Sequence, residues 1–322
     1  MPQEKAIEAT GLVKQYKNKY ALDGVDLHVS RGTVHGLLGP NGAGKTTAVR
    51  IFTTLTYPDS GSARVAGFDV TSEPRQVRRR IGLTGQQTAV DDLLTARQNL
   101  VMFGRLFRLD KAHAQQRAEE LLTMFGLTDS AGLSPKKFSG GMRRRLDLAA
   151  SMILAPEVLF LDEPTTGLDP AGRREVWEVV RELAATGTTV LLTTHYLDEA
   201  DKLCDRISLI DHGRNFVEDT PAGLKRQIGQ ERLELLAADP AQLNRLSQIV
   251  VDLTGIQPDV EEAEARLSVP VADGVTALTA VAAEIRAQEI DIADIGLRRP
   301  TLDEAFLHLT TSPSATRKEK AL

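Results

Sequence analysis

The sequence predicts an α/β fold built on a parallel sheet, followed by a small α+β unit. Three observations carry that expectation. From residue 139 onward, short apolar runs alternate with helical stretches, the pattern of a parallel sheet with crossover helices. An apolar run, Val34 to Leu38, ends in a glycine-rich segment, and a helix opens at Lys45 or Thr46. Near 222–230 the strand–helix alternation gives way to a second pattern of short strands and helices.

In chain order, residues 5 to 37 read as β. Apolar positions alternate in Ala6-Ile7-Glu8-Ala9 and in Val25-Asp26-Leu27-His28-Val29, and Arg31-Gly32 marks a turn. Residues 96 to 126 carry helical periodicity, with Leu100, Phe103, Leu106 and Phe107 on one face, and predict a helical subdomain. A helix over 140–154 then leads to a strand at 158–161, and one near 171–185 to a strand at 188–193. A further helix near 196–203 precedes the strand Arg206 to Asp211. Functional groups are expected at the carboxyl ends of such strands. The last helix of this part runs from Gly223 to Ile228 and stops at Gly229. Beyond it come strand 231–236, helix 240–253, strands near 257–261 and 265–270, helix 274–288, strand 290–298 and helix 302–309. The expected organisation is a large domain over 1–228, a small α+β domain over 229–310, and a polar, disordered tail over 311–322.

Composition narrows the function. The chain has 322 residues, 42% hydrophobic and 26% charged, ordinary for a globular protein. Its longest apolar runs, such as Val158 to Leu161 and Thr189 to Leu192, are far short of the roughly 18 residues that a membrane span needs. The N-terminus, with Glu4 and Lys5, lacks the apolar region of a signal peptide. A partner is therefore expected to hold the chain at any membrane where it works. The single Cys204 excludes an internal disulfide and is compatible with a reducing, cytoplasmic location. A net charge of −5 argues against a dedicated nucleic-acid binder. The arginine clusters Arg78-Arg79-Arg80 and Arg143-Arg144-Arg145 read as solvated helix faces.

The segment Gly39-Pro40-Asn41-Gly42-Ala43-Gly44-Lys45-Thr46 fits the pattern GxxxxGK[ST] in full, after an apolar strand and before a helix. Glycines let the backbone curl so that its N–H groups converge on phosphate oxygens. The helix N-terminus adds the positive end of its dipole. Lys45 is expected on the β- and γ-phosphates, Thr46 on Mg²⁺, and Thr47 beside them. A second element, Val158-Leu159-Phe160-Leu161-Asp162-Glu163-Pro164, ends an apolar strand in two adjacent carboxylates. Two acids there are costly unless they serve a charge or a metal. Asp162 fits the acid that holds Mg²⁺ and Glu163 a general base for the attacking water. Together these elements indicate a P-loop nucleoside triphosphatase with Mg²⁺ as a cofactor, but not which kind.

A third element, Phe138-Ser139-Gly140-Gly141-Met142-Arg143, lies about 20 residues before Asp162. Ser139 can cap a helix whose Gly140 and Gly141 N–H groups face an anion. This segment resembles the signature sequence of the ATP-binding-cassette (ABC) ATPases, with Phe and Met where the usual form has Leu and Gln. The resemblance implies an ABC nucleotide-binding domain with a parallel core sheet, an antiparallel β subdomain and a helical subdomain. It also maps further positions. Gln86 matches the glutamine that contacts Mg²⁺ and the water, with Gln87 as its neighbour. Asp169, in Thr166-Gly167-Leu168-Asp169, matches the D-loop; His195 matches the histidine that contacts the γ-phosphate. Tyr16 matches the aromatic residue that stacks on adenine, with Tyr20 competing. The other histidines, His28, His35, His113, His212 and His308, show no metal-ligand spacing.

The C-terminal segment Leu297-Arg298-Arg299-Pro300-Thr301-Leu302-Asp303-Glu304-Ala305-Phe306-Leu307 looks like the ending of the daunorubicin/doxorubicin-resistance type of exporter ATPase. Thr301 and Glu304 also read as a capping box for the last helix, with Leu302, Phe306 and Leu309 as its apolar stripe. The resemblance implies an ATP-hydrolysing subunit that pairs head to tail as a homodimer. It would drive efflux of a drug-like or lipid-like molecule through a separate membrane permease, from the cytoplasmic face of the membrane. A soluble ABC ATPase of translation or DNA repair is the alternative. Such proteins usually carry two cassettes or long insertions, and this chain has one cassette. An importer ATPase is the third reading, and the C-terminal ending favours export over it.

Overall fold

The computed structural model describes residues 4–85, 88–227, 231–299, 301–304 and 306. They form two compact units, Met1–Pro221 and Ala222–Leu322.

The first unit opens with two long strands, β1 (Lys5–Tyr16) and β2 (Lys19–Ser30), joined in an antiparallel hairpin. Strand β3 (Val34–Leu38) follows and leads into helix α1 (Lys45–Phe52). Next come β4 (Ser60–Val65), β5 (Phe68–Asp69), α2 (Pro74–Arg78) and β6 (Ile81–Thr84). Helices α3 (Ala96–Leu106), α4 (Lys111–Met124) and α5 (Gly140–Ser151) precede β7 (Val158–Asp162). The chain then alternates through α6 (Pro170–Ala185), β8 (Thr189–Thr194), α7 (Leu197–Leu203), β9 (Arg206–Asp211) and β10 (Arg214–Asp219).

Two sheets result. The six-stranded sheet has the order β10-β9-β3-β8-β7-β6. Its four pairings from β9 to β6 are all parallel, and β10 adds an antiparallel edge. The strands β3, β7 and β8 are buried at every residue, as a sheet covered on both faces requires. The four-stranded sheet, β2-β1-β4-β5, is antiparallel throughout. The two sheets share a core in which Phe52 and Phe160 are fully buried, their ring centroids 6.3 Å apart. Burying each such side chain contributes about 1.5–3 kcal/mol.

The structure departs from the sequence expectation at several elements. Strands β4, β5 and β10 and helix α2 lie where no element was predicted. Strand β4 reads Ser-Gly-Ser-Ala-Arg-Val and carries little apolar alternation. It is a strand because β1 supplies a ladder for it. The helical stretch 96–126 breaks in two, with Arg108 in the left-handed region at φ 68° and Asp110 capping α4 through the His113 N–H. Leu100 is buried, but Leu106 is 68% and Phe107 48% exposed, so these four residues do not form a buried stripe. Helix α3 instead buries Ala96, Asn99, Leu100 and Gly104, and a Cβ at Gly104 would lie 2.9 Å from the Ala114 Cβ of α4. The second arginine cluster is also not a solvated face. Arg144 is 5% exposed, and Arg143 and Arg145 are paired with Asp92 and Glu175.

The second unit begins in α8 (Pro221–Arg226). It continues with β11 (Arg232–Ala237), α9 (Leu243–Thr254), β12 (Asp259–Glu261), β13 (Arg266–Pro270), α10 (Gly274–Ala287) and β14 (Ile292–Arg298). Its sheet, β12-β13-β11-β14, is antiparallel. Alternate residues Leu233, Leu235, Leu267 and Val269 are buried with Leu246, Val250, Val281 and Ile285 of the two helices, forming a core of its own. Helix α9 ends at Gly255, which takes φ 71°. Thr301 and Glu304 form the expected reciprocal cap, at 3.3 and 2.9 Å. Arg298 pairs with both Glu304 and Glu234. The expected disordered tail from Thr311, and Leu309, lie outside the described residues.

Candidate active site

Strand order creates the site. Strand β3 ends in the glycine-rich loop, and β7 ends in Asp162-Glu163. Between them runs β8, which ends at Thr194, so Thr193 and His195 stand between loop and carboxylates.

The loop is held by contacts that only glycine permits. A Cβ at Gly39 would stand 2.0 Å from the Ile210 carbonyl. Gly44 takes φ 113°, and a Cβ there would meet the Ala21 carbonyl at 2.3 Å. Gly44 is also the N-cap of α1 and supplies no side-chain cap, and the first turn of α1 has no acid. The helix therefore directs uncapped N–H groups and its positive dipole end at the space above the loop. Lys45 is buried and its Nζ donates to the carbonyls of Gly39 (2.6 Å) and Pro40 (3.1 Å). Burial lowers the Lys45 pKa, and the carboxylates of Glu163 and Asp162 oppose that shift.

Asp162 is buried, and its Oδ1 accepts from Thr193 Oγ1 at 2.5 Å and Thr46 Oγ1 at 3.4 Å. Glu163 takes φ 52°, a conformation that a non-glycine residue rarely adopts and that stores strain. Its N–H is held by Thr193, through the carbonyl at 3.0 Å and the hydroxyl at 3.1 Å. Its carboxylate lies 3.4 Å from His195 Nδ1 and accepts from Thr166 Oγ1 at 3.3 Å. The His195 ring packs on Tyr196, centroids 4.1 Å apart, and Arg173 covers the other aromatic ring at 4.1 Å.

A cleft of about 340 Å³ gathers part of this set, while Asp162, Thr193 and His195 do not line it. Asn41, Gly42, Gly44, Lys45, Thr46 and Thr47 line one wall, Glu163 another, and Tyr16, Lys19 and Ala21 of the first hairpin a third. Tyr16 thus stands at the cleft, whereas Tyr20 does not line it. Ser139, Gly140, Gly141 and Asp169 do not line it either. Ser139 Oγ accepts from the Met142 N–H at 3.1 Å and caps α5. Asp169 caps α6 through the Gly172 N–H at 2.8 Å. Gln86 and Gln87 lie outside the described residues. Sequence reasoning missed Lys19, Ala21 and Thr193. Thr193 left a signal, because it lies two residues before His195, near the end of β8. Lys19 and Ala21 reach the cleft only through the hairpin turn.

The donor set suits a nucleotide and a hard cation. Uncapped N–H groups and an ammonium face one side, and hydroxyl and carboxylate oxygens the other, the oxygen chemistry that Mg²⁺ prefers.

This fold, with Glu163 facing the phosphate loop across one cleft and Asp162 bonded to Thr46 beneath it, is that of an ATP-binding cassette, an ATP-hydrolysing domain. A family model for ABC transporters matches residues 22–166. The chain is 59% identical over 305 residues to the daunorubicin resistance ATP-binding protein DrrA2 of Streptomyces coeruleorubidus, covering 95% of both chains. It is 44% identical over 231 residues to the Nod factor export ATP-binding protein I of Burkholderia thailandensis, covering 71% of this chain and 76% of that one. A solved dimeric ATP-binding cassette in a post-hydrolysis state, bound to ADP and Pi, superimposes with a TM-score of 0.60 at 27% identity. That match covers 66% of this chain and 98% of the other. The chain belongs to the ABC transporter ATP-binding subunits of the daunorubicin/doxorubicin-resistance type of exporter ATPase. No helix among the described residues is long and apolar enough to cross a membrane.

Proposed function

We propose that the chain powers efflux of a drug-like or lipid-like molecule through a separately encoded permease, and sits peripherally on the cytoplasmic face of the membrane. The observation that carries the chemistry is that Glu163 lines the same cleft as Lys45, Thr46 and Thr47. Tyr16 stacks on the adenine. The loop from Gly39 through Pro40, Asn41, Gly42, Ala43 and Gly44 to Thr47 cradles the phosphates, with Lys45 on the β- and γ-groups. Thr46, Asp162 and Gln86 would hold Mg²⁺, which when bound neutralises charge on the phosphate oxygens. Glu163 accepts the proton of the attacking water, and His195, 3.4 Å away, orients it and reaches the γ-phosphate.

The chain has a second anion-suited helix end, at Ser139-Gly140-Gly141, outside the cleft. A homodimer paired head to tail would bring that end, and Asp169, to the nucleotide of the other copy. ATP then stabilises the closed pair by its greater affinity for it, and hydrolysis releases it.

Glu163→Gln is expected to bind ATP with wild-type affinity and to lose at least about 100-fold in turnover. Unchanged turnover would remove Glu163 from the role of base. The same variant, tagged and recovered from detergent-solubilised membranes, is expected to bring a stoichiometric multi-span protein. Recovery of soluble partners alone would replace the transport reading.

A further inference from the structure

Arg144, one residue of the cluster expected to be solvated, is turned inward. Helix α5 carries Arg144 and Asp147 one turn apart on a single buried face, each 5% exposed. Arg144 Nε donates to the Pro164 carbonyl at 2.7 Å. Its Nη1 donates to the Gly85 carbonyl at 2.8 Å and to Asp147 Oδ2 at 3.2 Å. Asp147 Oδ1 accepts from the Ala89 N–H at 2.8 Å. The three backbone partners come from places that matter to the site. Pro164 follows Glu163, Gly85 follows β6, and Gly85 and Ala89 flank Gln86 and Gln87 in the chain.

A buried ion pair is a weak source of stability, because desolvating two charges offsets most of their attraction. Burial indeed raises the Asp147 pKa and lowers that of Arg144. What the pair achieves is geometric. A planar guanidinium and a carboxylate together fix three chain segments to the helix that begins at Ser139.

We infer that Arg144 and Asp147 are positioning residues for hydrolysis: they lock the signature helix to the backbone beside Glu163 and to both flanks of Gln86–Gln87. This rests on the ATPase reading above. Neither residue lines the cleft, so they set turnover rather than nucleotide affinity. Movement of α5, whose N-terminus would meet nucleotide in the dimer, then shifts the backbone next to the base directly.

The test uses the full-length protein, with steady-state ATPase kinetics, the ATP dissociation constant, melting temperature and amide hydrogen exchange at Ala89. Asp147→Ala is expected to lower kcat by about 10- to 100-fold with ATP affinity within about twofold, since small misplacements near reacting groups act on rate. Exchange at Ala89 should quicken. Asp147→Asn, which keeps an oxygen for the Ala89 N–H, should recover most of the rate. If Asp147→Ala does not fold, Arg144→Lys decides, because an ammonium keeps the charge but cannot span the Pro164 and Gly85 carbonyls together. A folded variant with wild-type kcat overturns the inference. So does a loss of kcat that merely tracks ATP affinity and melting temperature. A wild-type protein that neither binds nor hydrolyses ATP would sink the ATPase reading and this inference with it; an active wild type with unaffected variants sinks only the inference.

Discussion

Residues in this chain gain their roles from what surrounds them. His35 is 1% exposed in the middle of the core sheet, and its Nε2 lies 2.8 Å from Ser208 Oγ. The Ser208 hydroxyl donates onward to Glu218 at 3.2 Å, so the imidazole must be the donor to Ser208. Burial pushes the His35 pKa down to about 4; Arg206 adds to this, while Glu218 and Asp205 oppose it. The sign follows from linkage. The unfolded chain takes up the proton near pH 6.5 and the folded one only near 4, so the His35 contribution is full above 6.5 and lost as pH falls toward 4. We expect His35→Gln to flatten the pH dependence of the urea midpoint between those values, relative to wild type, by about 2–3 kcal/mol at pH 4. Identical slopes would show that the histidine is not held neutral. Cys204 is a contrasting case: it is buried and burial raises its thiol pKa, which suits packing rather than reactivity.

At the scale of elements, the loop between β3 and α1 depends on backbone approaches as much as on its lysine. The Gly39→Ala variant places a methyl group 2.0 Å from the Ile210 carbonyl on β9. It is expected to cost about 1–3 kcal/mol of stability and to weaken ATP binding, as read by denaturant midpoint and by titration. Unchanged values for both would mean that β9 yields easily. Helix α7 is anchored in a similar way. Glu199 is fully buried and its Oε1 accepts from Thr165 Oγ1 at 2.9 Å and Trp177 Nε1 at 3.0 Å. It thereby ties the helix after His195 to the loop after Glu163 and to α6. Burial raises its pKa, and hydrogen bonds from Thr194, Trp177 and Thr165 pull it back. In the sequence Tyr196-Leu197-Asp198-Glu199-Ala200 nothing separates Glu199, which is buried, from Asp198 beside it.

For the whole molecule, each of the two units carries an apolar core of its own among the described residues. The cleft draws all its lining residues from the first unit, and the second has its own apolar core. Ligand that binds one folded unit stabilises that unit by mass action. We therefore expect thermal unfolding in two steps, with MgATP at 100 times its dissociation constant adding about 2.7 kcal/mol to one step alone. The stabilised step should be that of Met1–Pro221, identified by limited proteolysis at intermediate temperature. Equal stabilisation of both steps would show that the units unfold together.

How much was legible in the sequence depends on whether the signal was local. The phosphate loop, the acid pair after an apolar strand and the strand–helix alternation all declare themselves within a few residues, because phosphate cradling and strand burial impose composition on contiguous chain. The P-loop nucleoside triphosphatase class and the parallel core followed from that alone. Strands β4 and β10 were invisible because their side chains carry little apolar alternation, and only their ladders, with β1 and β5 for the one and with β9 for the other, define them. The inward turn of Arg144 was hidden for the same reason. Three adjacent arginines are alike in sequence, and only the positions of Gly85, Ala89 and Pro164, brought to one face of α5 by the fold, decide which of them is buried. Likewise, that Lys19 and Ala21 border the cleft, and that Thr193 holds Asp162 and the Glu163 N–H, was settled by how distant strands pack together, a long-range fact that no local pattern encodes.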